Sequence, residues 1–465
     1  MVVDCMDEII IWGAGKVAVK RLEWAAFAGY QVLFFIDNDT AKCGKRIRGI
    51  SICSPEILKG HKWTIVIPDV YLKEVNRQLN KISYQGQRIG FDQFKKEAVC
   101  RKNISIDFSD IKPGNKICFL FDSYFAGLNW GGVESWSCMV ANGLSNLNVE
   151  TQLICGLNKK FDECTTQCLH FYNKNELDML KEMAVNIAAF LPCIFITHGS
   201  IALNAAQIVK SAFPDQIKLV AVAHGDEENT YKMLRLWSDQ LDKIICISKK
   251  IYVELQKKYG LKKEILLYRP NPIQIPFLEG RRINHEEPLR IGFAARLRKE
   301  QKRVHLLPEI IDTCLRKGRM VEFDIVGEGD CLELLRSYVS DRNLENKVHI
   351  LGWMPPTEMT KFWKNEDIYL NISDFEGMSL AMLEAMACGA VPVVTDVSGV
   401  DDLIDDGKNG FVVPVDGWME AADKIELLDK DRTMLQRASE YNMSLIRRKC
   451  NISDYAKWMV DTFHF

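Results

Sequence analysis

The sequence predicts an α/β protein made of three consecutive parts. Its 465 residues correspond to roughly three domains at about 150 residues each. Short apolar runs alternate along the chain with stretches of helical apolar spacing, an alternation typical of βαβ units and parallel sheets. The hydrophobic fraction of 47% and the charged fraction of 26% exclude a largely disordered chain.

Residues 1–95 are predicted to form a small Rossmann-like α/β module. Its predicted strands are Glu8–Trp12, Gln31–Ile36 and Trp63–Ile67. The segment Gly13-Ala-Gly-Lys-Val-Ala18 follows the first strand and fits the pattern G-x-G-x-x-A, and Asp37 follows the second strand, as in dinucleotide-binding units. Gly13, Gly15 and Asp37 are therefore a candidate nucleotide site, and a purely structural module is the alternative.

Two further α/β series follow a predicted linker at residues 96–115, which loses the alternation and contains Pro113-Gly114. The second series covers residues 116–280, with predicted strands Lys116–Phe121, Val149–Ile154, Cys193–Thr197, Lys218–Ala223 and Lys243–Ile247. The third covers residues 288–450, with predicted strands Leu289–Phe293, Val321–Val326, Lys347–Leu351, Ile368–Ile372 and Val391–Val394. Residues 451–465 are predicted to form a terminal helix.

Charge balance and cysteine pattern exclude several classes of protein. The formal net charge of −2 lacks the positive excess of a dedicated nucleic-acid binder. The best apolar stretch, Ile187–Ile196, is too short for a transmembrane helix, and the acidic N-terminal residues do not fit an export signal. The 15 cysteines include no C-x-x-C pair, which indicates reduced thiols rather than a zinc site. We therefore expect a cytoplasmic protein without a metal.

The strongest chemical signal is the segment Asp374–Gly389, which follows a predicted strand. Glu376-Gly377 predicts a turn, Ser379 is a good helix N-cap, and Gly389 is a typical residue just after a helix end. The N-terminus of such a helix offers free backbone N–H groups and about half a positive charge, which favours a phosphate. Glu384, about two turns into the helix, could accept hydrogen bonds from a ribose diol. The alternative is a pair of ordinary solvated acids.

A second signal is the basic loop that follows the predicted strand Leu289–Phe293. Arg296 and Lys302 lie in this loop, at the carboxyl edge of a predicted parallel sheet, where open α/β folds bind ligands. The two cations could hold a diphosphate, although a solvated basic turn would show the same composition. Leu297 lies between them and indicates that part of the loop packs inward.

Together these motifs resemble the family 4 retaining glycosyltransferases, which have the GT-B fold of two Rossmann-like domains facing a cleft. Glu376 and Glu384 have the spacing of the family's E-x7-E signature. Further landmarks occur in the family's order over about residues 116–440, namely Gly131-Gly-Val-Glu134, Ala223-His224-Gly225, Arg296 to Lys302, Asp324 to Gly329, Leu351-Gly-Trp353 and Asp405 to Phe411. The final helix resembles the family's segment that crosses back to the first, acceptor-binding domain.

The resemblance implies a role for each landmark. Arg296 and Lys302 would neutralise the diphosphate, and Glu384 would bind the ribose. Glu376 would contact the donor sugar and His224 would lie near its anomeric carbon. The other implied donor-binding residues are Gly131, Gly132, Gly327, Gly377, Met378, Ser379 and Leu380. The family more often has Phe and Gly or Pro where this chain has Met378 and Ser379, which loosens any inference about the sugar.

Two rival site assignments come from elsewhere in the sequence. His198, which also ends a predicted strand, competes with His224 for the catalytic role. Asp37-Asn-Asp39 has the form of a metal-binding D-x-D motif, but it lies in the first module, far in sequence from every donor motif, and more simply ends the second strand. We therefore predict no metal and no cofactor, with a nucleotide diphosphate sugar as co-substrate.

The predicted function is transfer of a sugar, with retention of anomeric configuration, from a UDP- or GDP-sugar to an acceptor hydroxyl. By analogy, cell-surface polysaccharide or glycolipid synthesis is the expected setting, with a glycan or lipid-linked glycan as acceptor. Alternatives are another GT-B enzyme such as a nucleotide-sugar epimerase, a non-enzymatic nucleotide-sugar sensor, and an NAD-dependent oxidoreductase. Contact with the inner face of the membrane could involve Lys232 to Trp237, although such a short segment is more often a packed helix. The first part of the chain resembles the Rossmann-like modules of sugar acyltransferases.

Overall fold

The computed structural model describes most of the chain, in several ranges. These are residues 7–100, 106–114, 116–123, 131–156, 168–171, 175–278, 283, 286–316 and 320–463. Within them the chain alternates strands and helices as predicted. Every helix in these ranges is too short or too polar to cross a membrane.

The strands, numbered in chain order, are β1 (Glu8–Trp12), β2 (Gln31–Ile36), β3 (Arg46–Ile47), β4 (Ile50–Cys53), β5 (Thr64–Ile67), β6 (Arg88–Gly90), β7 (Cys118–Ser123), β8 (Glu150–Gly156), β9 (Cys168–Phe171), β10 (Cys193–Thr197), β11 (Ile217–Ala223), β12 (Lys243–Cys246), β13 (Leu266–Tyr268), β14 (Leu289–Ala294), β15 (Val321–Val326), β16 (Val348–Gly352), β17 (Ile368–Asn371), β18 (Val391–Thr395) and β19 (Phe411–Val413). The α-helices are α1 (Ala18–Phe27), α2 (Leu72–Lys81), α3 (Phe91–Val99), α4 (Gly132–Ser145), α5 (Glu176–Ala188), α6 (Ser200–Ala212), α7 (Glu228–Trp237), α8 (Lys249–Lys257), α9 (Leu307–Arg316), α10 (Leu332–Asp341), α11 (Pro356–Trp363), α12 (Leu380–Ala387), α13 (Trp418–Lys430), α14 (Arg432–Lys449) and α15 (Ile452–Thr462).

The described strands form three sheets. The first has the order β3-β4-β2-β1-β5-β6, and its strands are parallel except for the β3–β4 hairpin. The second has the order β13-β12-β11-β10-β7-β8-β9, and the third has the order β16-β15-β14-β17-β18-β19 with every pair parallel. In the third sheet the chain first adds β15 and β16 on one side of β14 and then adds β17 to β19 on its other side. This switch point is the usual position of a ligand crevice in an open α/β sheet.

The chain divides into two compact units. The first contains the N-terminal module with β1 to β6 and α1 to α3, together with α5, β10 and α6. The second contains α4, α7 to α15 and β12 to β19. Strands β7, β8, β9 and β11 have residues in each unit.

Apolar strands covered by amphipathic helices form the core of the third sheet. Phe293 and Phe323 of adjacent strands are 2% and 1% exposed, and Ile310 of α9 and Ile425 of α13 pack in the same cluster. Burial of one such side chain contributes about 1.5–3 kcal/mol, so these strands and helices stabilise each other strongly. This rigid core supports the loops at the carboxyl ends of the strands.

Helix α7 contains the segment considered for membrane contact. Leu234 and Trp237 are 0% and 5% exposed, so both side chains pack inside the protein. The packed-helix alternative is therefore correct for these two residues, and membrane contact through them is not supported.

A buried asparagine pair joins α14 to the loop that follows α12 and β18. The Asn442 amide donates to the backbone oxygen of Asn409, and the Asn409 amide donates to Asn442 Oδ1, both at 2.8 Å. Both side chains are fully buried. Each amide therefore depends on the other, because water cannot replace the lost bond.

We expect Asn442→Ala to lower the free energy of unfolding by about 1–3 kcal/mol, since it leaves buried polar groups of Asn409 unsatisfied. Urea denaturation followed by tryptophan fluorescence measures the change. Ser444→Ala, on the exposed side of the same helix, is the matched control and should change stability by less than about 0.5 kcal/mol. Equal effects of the two substitutions would contradict the role of the pair.

Candidate functional site

The E-x7-E segment has the geometry expected of an anion-binding helix start. Ser379 is the N-cap of α12, and its Oγ accepts the N–H of Met382 at 3.3 Å. The Tyr369 hydroxyl hydrogen-bonds the same Oγ at 3.0 Å, which anchors the cap to strand β17. Gly389 follows the helix with φ of +90°. The predicted turn, cap and helix end of this segment are confirmed.

The turn before α12 packs against the backbone of His224. A Cβ atom on Gly377 would lie 1.8 Å from the His224 carbonyl oxygen and 3.0 Å from Ile247 Cδ1. No side chain fits at such a distance, so only glycine permits this approach. Two residues that are remote in sequence are thereby brought into direct backbone contact at the start of α12.

The Gly131-Gly132 segment lies beside the same helix start. A Cβ on Gly132 would be 3.8 Å from Leu380 Cδ1, an ordinary contact. Gly132 is the first residue of α4, and Glu134 lies in the first turn of this helix. The Glu134 side chain folds back toward Gly131, and a Cβ atom on Gly131 would lie 3.0 Å from Glu134 Oε2. Burial raises the pKa of Glu134, and nearby N–H groups and the charge of Arg296 oppose the rise.

The basic loop after β14 reaches the E-x7-E turn through Lys302. Lys302 Nζ forms an ion pair with the Glu376 carboxylate, and both side chains are largely buried. The Asp374 N–H donates to the Gln301 carbonyl oxygen at 2.9 Å, and the Gln301 side-chain amide donates to the Phe375 carbonyl oxygen at 3.2 Å. These two bonds hold the loops together. The cation and the first glutamate of the signature are therefore direct neighbours.

The remainder of the basic loop is held by the turn after β15. Leu297 is 0% exposed, which confirms that this position packs inward, while Arg296 is exposed. Gly327 has φ of +140°, and a Cβ there would lie 1.9 Å from the Ala295 carbonyl oxygen. Its N–H donates to the Gly352 carbonyl at 2.8 Å. Gly327 thus supports the loop that carries Arg296.

Burial changes the ionisation of both remaining candidate side chains. It raises the pKa of Glu384 to about 7, with an opposing contribution from Trp363, and it lowers the pKa of His224 to about 3. His224 is therefore neutral near pH 7, and the ring of Trp136 packs against it edge-on at 5.2 Å. A neutral imidazole can orient a hydroxyl group but does not supply a positive charge.

All predicted donor-site residues lie in the second unit, and the structure brings several of them into contact. His224, Gly132, Gly377 and Leu380 are linked by direct contacts, and Lys302 contacts Glu376. The rival His198 follows β10 in the first unit. The roles of all these residues stay predictions.

Sequence reasoning missed Asn271, which supports the turn before α12. Its side-chain amide donates to the Met378 carbonyl at 3.0 Å, and its backbone N–H contacts Met378 Sδ at 3.4 Å. Asn271 is 3% exposed. It lies between two prolines in irregular sequence, where no pattern distinguishes it from an ordinary loop residue.

A separate pocket of about 310 Å³ is present near the amino ends of strands β14 and β17. Arg290 forms ion pairs with Asp324 and Glu322, and His349 Nδ1 lies 2.6 Å from Asp324 Oδ1. Burial, followed by the neighbouring Asp324, raises the pKa of Glu366 to about 9. Arg290 is thus paired with neighbouring carboxylates, and the pocket contains none of the predicted donor-site residues.

In the N-terminal module, Asp37 binds its own loops. Its Oδ2 accepts the N–H of Ala14 at 2.8 Å and contacts Lys42 Nζ at 3.1 Å, while Oδ1 accepts the N–H of Asp39 at 2.9 Å. Within the described ranges, no group of three His, Cys, Asp or Glu side chains is placed to hold a metal ion.

Comparison with solved structures defines the class of fold. TarM of Staphylococcus aureus aligns with a TM-score of 0.63 at 13% identity, over 76% of this chain and 99% of its own. HepE of Anabaena, in complex with UDP, aligns with a TM-score of 0.61 at 17% identity, over 75% of this chain and 99% of its own. The predicted GT-B architecture is confirmed by these matches.

Two protein families match parts of the sequence. Residues 278–444 match the family described as Glycosyl transferases group 1, and residues 5–90 match the family described as C2185-like, N-terminal. The resemblance inferred from the E-x7-E segment and its neighbours is thus confirmed for the C-terminal domain. The likeness of the first module to those of sugar acyltransferases stays a prediction.

The related curated proteins are named glycosyltransferases. The poly(ribitol-phosphate) alpha-N-acetylglucosaminyltransferase of Staphylococcus aureus is 30% identical over 34% of this chain and 32% of its own length. The amylovoran biosynthesis glycosyltransferase AmsK of Erwinia amylovora is 27% identical over 50% and 60%. The putative colanic acid biosynthesis glycosyltransferase WcaL of Escherichia coli is 29% identical over 46% and 53%. The matched part of the chain therefore spans about a third to three-fifths of the length of these relatives.

We expect Gly377→Ala to separate the α12 turn from the His224 backbone, because its methyl group would overlap the carbonyl oxygen. The expected result is a lower melting temperature and loss of ligand binding at this site. Gly132→Ala is the matched control for the melting temperature without UDP, since its methyl group meets only Leu380 at an ordinary distance. Thermal melting with and without UDP measures both effects. A Gly377→Ala protein that behaves like Gly132→Ala would contradict the assigned packing.

Proposed function

We propose that this protein is a retaining glycosyltransferase that moves a sugar from a nucleotide diphosphate sugar to an acceptor hydroxyl. The backbone contact between Gly377 and His224 is the observation that carries the proposal. It brings the start of α12, which follows Glu376 and its partner Lys302, against the backbone of His224. These groups match the charges that develop when a glycosyl diphosphate bond breaks.

In this proposal Arg296, Lys302 and the start of α12 stabilise the departing diphosphate. The leaving group gains negative charge while the sugar gains positive charge, so fixed cations and N–H groups are most useful at the diphosphate. The backbone from Gly377 to Leu380 supplies the N–H groups. Removal of one preorganised donor in such a site typically costs about 10²–10³ in kcat.

Lys302 couples the two ends of the proposed donor. It contacts the Glu376 carboxylate, which we assign to the hydroxyl groups of the donor sugar. A diphosphate that competes for Lys302 would leave Glu376 free to accept hydrogen bonds from those hydroxyls. Sugar binding and phosphate binding would then assist each other through one lysine.

Glu384 is assigned to the nucleotide ribose and His224 to the donor sugar or acceptor. An ionised Glu384 can accept two hydrogen bonds from adjacent hydroxyls, whereas the protonated form accepts fewer. His224 stays neutral over the working pH range, so it would orient a hydroxyl group. In the completed reaction the acceptor oxygen replaces the diphosphate oxygen at the anomeric carbon.

The setting is proposed from the relatives. AmsK and WcaL carry names that refer to amylovoran and colanic acid biosynthesis, so a cell-surface polysaccharide or glycolipid is the proposed product class. HepE was solved with UDP-glucose and GtfA with UDP and GlcNAc, which makes UDP-sugars the first donors to test. A cytoplasmic location stays a prediction.

A donor panel tests the activity. We expect nucleotide release from one UDP- or GDP-sugar, stimulated by a glycan or lipid-linked acceptor. Lys302→Ala should lower kcat by about 10²-fold or more, because the leaving group loses a fixed cation. Lys302→Arg, which keeps the charge, is the control and should retain more activity. Absence of sugar transfer with every donor, despite tight nucleotide binding, would favour a sensor.

Product analysis distinguishes a transferase from an epimerase and from an oxidoreductase. Isomerised nucleotide sugar without acceptor consumption would identify an epimerase, and NAD reduction would identify an oxidoreductase. Either result would contradict the transferase proposal. Retention of anomeric configuration is checked by NMR of the glycosidic linkage formed.

The raised pKa of Glu384 predicts pH-dependent donor binding. With a pKa of about 7, roughly a tenth of the carboxyl groups are ionised at pH 6 and nine-tenths at pH 8. UDP-glucose, whose diphosphate keeps its charge over this range, should therefore bind about tenfold more tightly at pH 8. Calorimetric titration at both pH values measures the change, and Glu384→Gln should remove it. The same raised pKa affects stability. The contribution of Glu384 to the free energy of unfolding falls as the pH rises from the ordinary pKa of a glutamate through about 7.

A further inference from the structure

We propose that the N-terminal module carries a second nucleotide site, which takes the phosphate and base of a single nucleotide. The site is the crevice between the loop after β1, residues 13–17, and the loop after β5, residues 68–71. It lies in the first unit, whereas the proposed donor site lies in the second. The inference does not depend on the proposed transferase activity.

Sheet topology locates this crevice. The strands of the module's sheet have the order β4-β2-β1-β5-β6. The chain therefore places β2 and β4 on one side of β1 and then places β5 and β6 on its other side. The loops after β1 and β5 therefore diverge at the carboxyl edge of the sheet. Open α/β sheets bind ligands at such a switch point.

The loop after β1 is built to receive an anion. Among the described residues, none accepts a hydrogen bond from the backbone N–H groups of Gly15, Lys16 or Val17, which precede the ten-residue helix α1. A Cβ on Gly15 would meet no atom within 4 Å, so the space in front of these groups is open. Free N–H groups at a helix start favour a phosphate.

A buried arginine independently indicates an anionic ligand. Arg21 is only 8% exposed, and its Nη1 lies 3.4 Å from the Gly13 carbonyl oxygen. Its Nε is buried and has no hydrogen-bond partner among the described residues. Asp69 and Tyr71, in the loop after β5, interact electrostatically with the guanidinium group. Arg21 therefore lies between the two loops of the crevice, with its Cζ 5.7 Å from the centre of the Phe91 ring, and its Nε can still donate a hydrogen bond to a ligand.

The loop after β5 offers an apolar surface for a base. Val70 is 86% exposed and Tyr71 is 55% exposed. An exposed aromatic ring can stack on any base. Phosphate on residues 13–17 and base on Tyr71 would span the crevice.

The contacts of Asp37 favour a single nucleotide over a dinucleotide. In dinucleotide sites the acid after the second strand binds a ribose hydroxyl. Here the Asp37 carboxylate accepts backbone N–H groups from Ala14 and Asp39 and pairs with Lys42. The carboxylate therefore holds the loops in place, and the ligand is recognised beside β1 and β5 instead.

Calorimetric titration of the full chain tests the proposal, with UDP, GDP, ADP and NAD as probes. Every titration uses protein that carries Lys302→Ala, so that the proposed donor site contributes little to the measured binding. We expect one mononucleotide to bind, and Gly15→Asp to weaken it at least about tenfold by placing a negative charge beside the phosphate. Gln85→Glu, which adds a negative charge to an exposed residue just before β6, at the amino edge of the same sheet, is the control and should change the affinity by less than about threefold.

The base contact has its own pair of variants. Tyr71→Ala should weaken the nucleotide by about fivefold or more, and Tyr71→Phe should retain the affinity, since both rings stack. Inorganic phosphate should bind far more weakly than the nucleotide. Equal affinity for phosphate, or tighter binding of NAD than of every mononucleotide, would overturn the proposal.

The titrations distinguish failure of this inference from failure of the transferase proposal. Nucleotide binding that depends on Lys302 but not on Gly15 would overturn this inference and leave the transferase proposal intact. Binding that depends on Gly15 but not on Lys302 would support it while contradicting the assigned donor site. No nucleotide binding in the Lys302→Ala protein would overturn it as well.

Discussion

Direct backbone contact between Gly377 and His224 is the constraint on which the candidate site depends. Because no Cβ atom fits between them, the start of α12 can approach a loop that is remote in sequence. Gly399, with φ of +83°, supports the same turn from the other side, where a Cβ would lie 2.7 Å from the Gly377 oxygen. Several close packing contacts at glycine therefore set the position of the charged groups.

Electrostatic interactions and burial determine the charges of the groups at the candidate site. Lys302, which contacts Glu376, and the start of α12 both favour negative charge at the E-x7-E turn. His224 is neutral because it is buried, and Glu384 is near its titration point for the same reason. Burial thus assigns different ionisation states to groups that the sequence presents only as residue types.

The N-terminal module is an integral part of the first compact unit. The Glu176 carboxylate at the start of α5 forms ion pairs with Lys95, at 2.9 Å, and with Lys20. Helix α1 also contacts α5 through Lys181 Nζ, which lies 5.9 Å from the centre of the Phe27 ring, and α3 packs against α6. A module held in this way keeps a fixed orientation within its unit, whatever ligand it binds.

The sequence by itself determined the order of strands and helices, because apolar runs and helical spacing are local properties. The predicted strands Gln31–Ile36, Cys193–Thr197 and Val321–Val326 agree with the structure at both ends, and so does the cap of α12 at Ser379. Short elements such as β3, β6 and β19 were missed, since two or three residues carry no period. The E-x7-E spacing and the glycine turns are also local, and for this reason they predicted the resemblance that the family match of residues 278–444 supports.

Tertiary structure alone decided which of these residues meet. The pairing of Lys302 with Glu376, the support of Met378 by Asn271 and the engagement of Asp37 by Ala14 all join separate segments. Burial, and with it the pKa values of Glu384 and His224, likewise depends on neighbours that are remote in sequence. Spacing along the chain specifies helix faces and turns, but contacts between loops arise only when the sheets and helices pack.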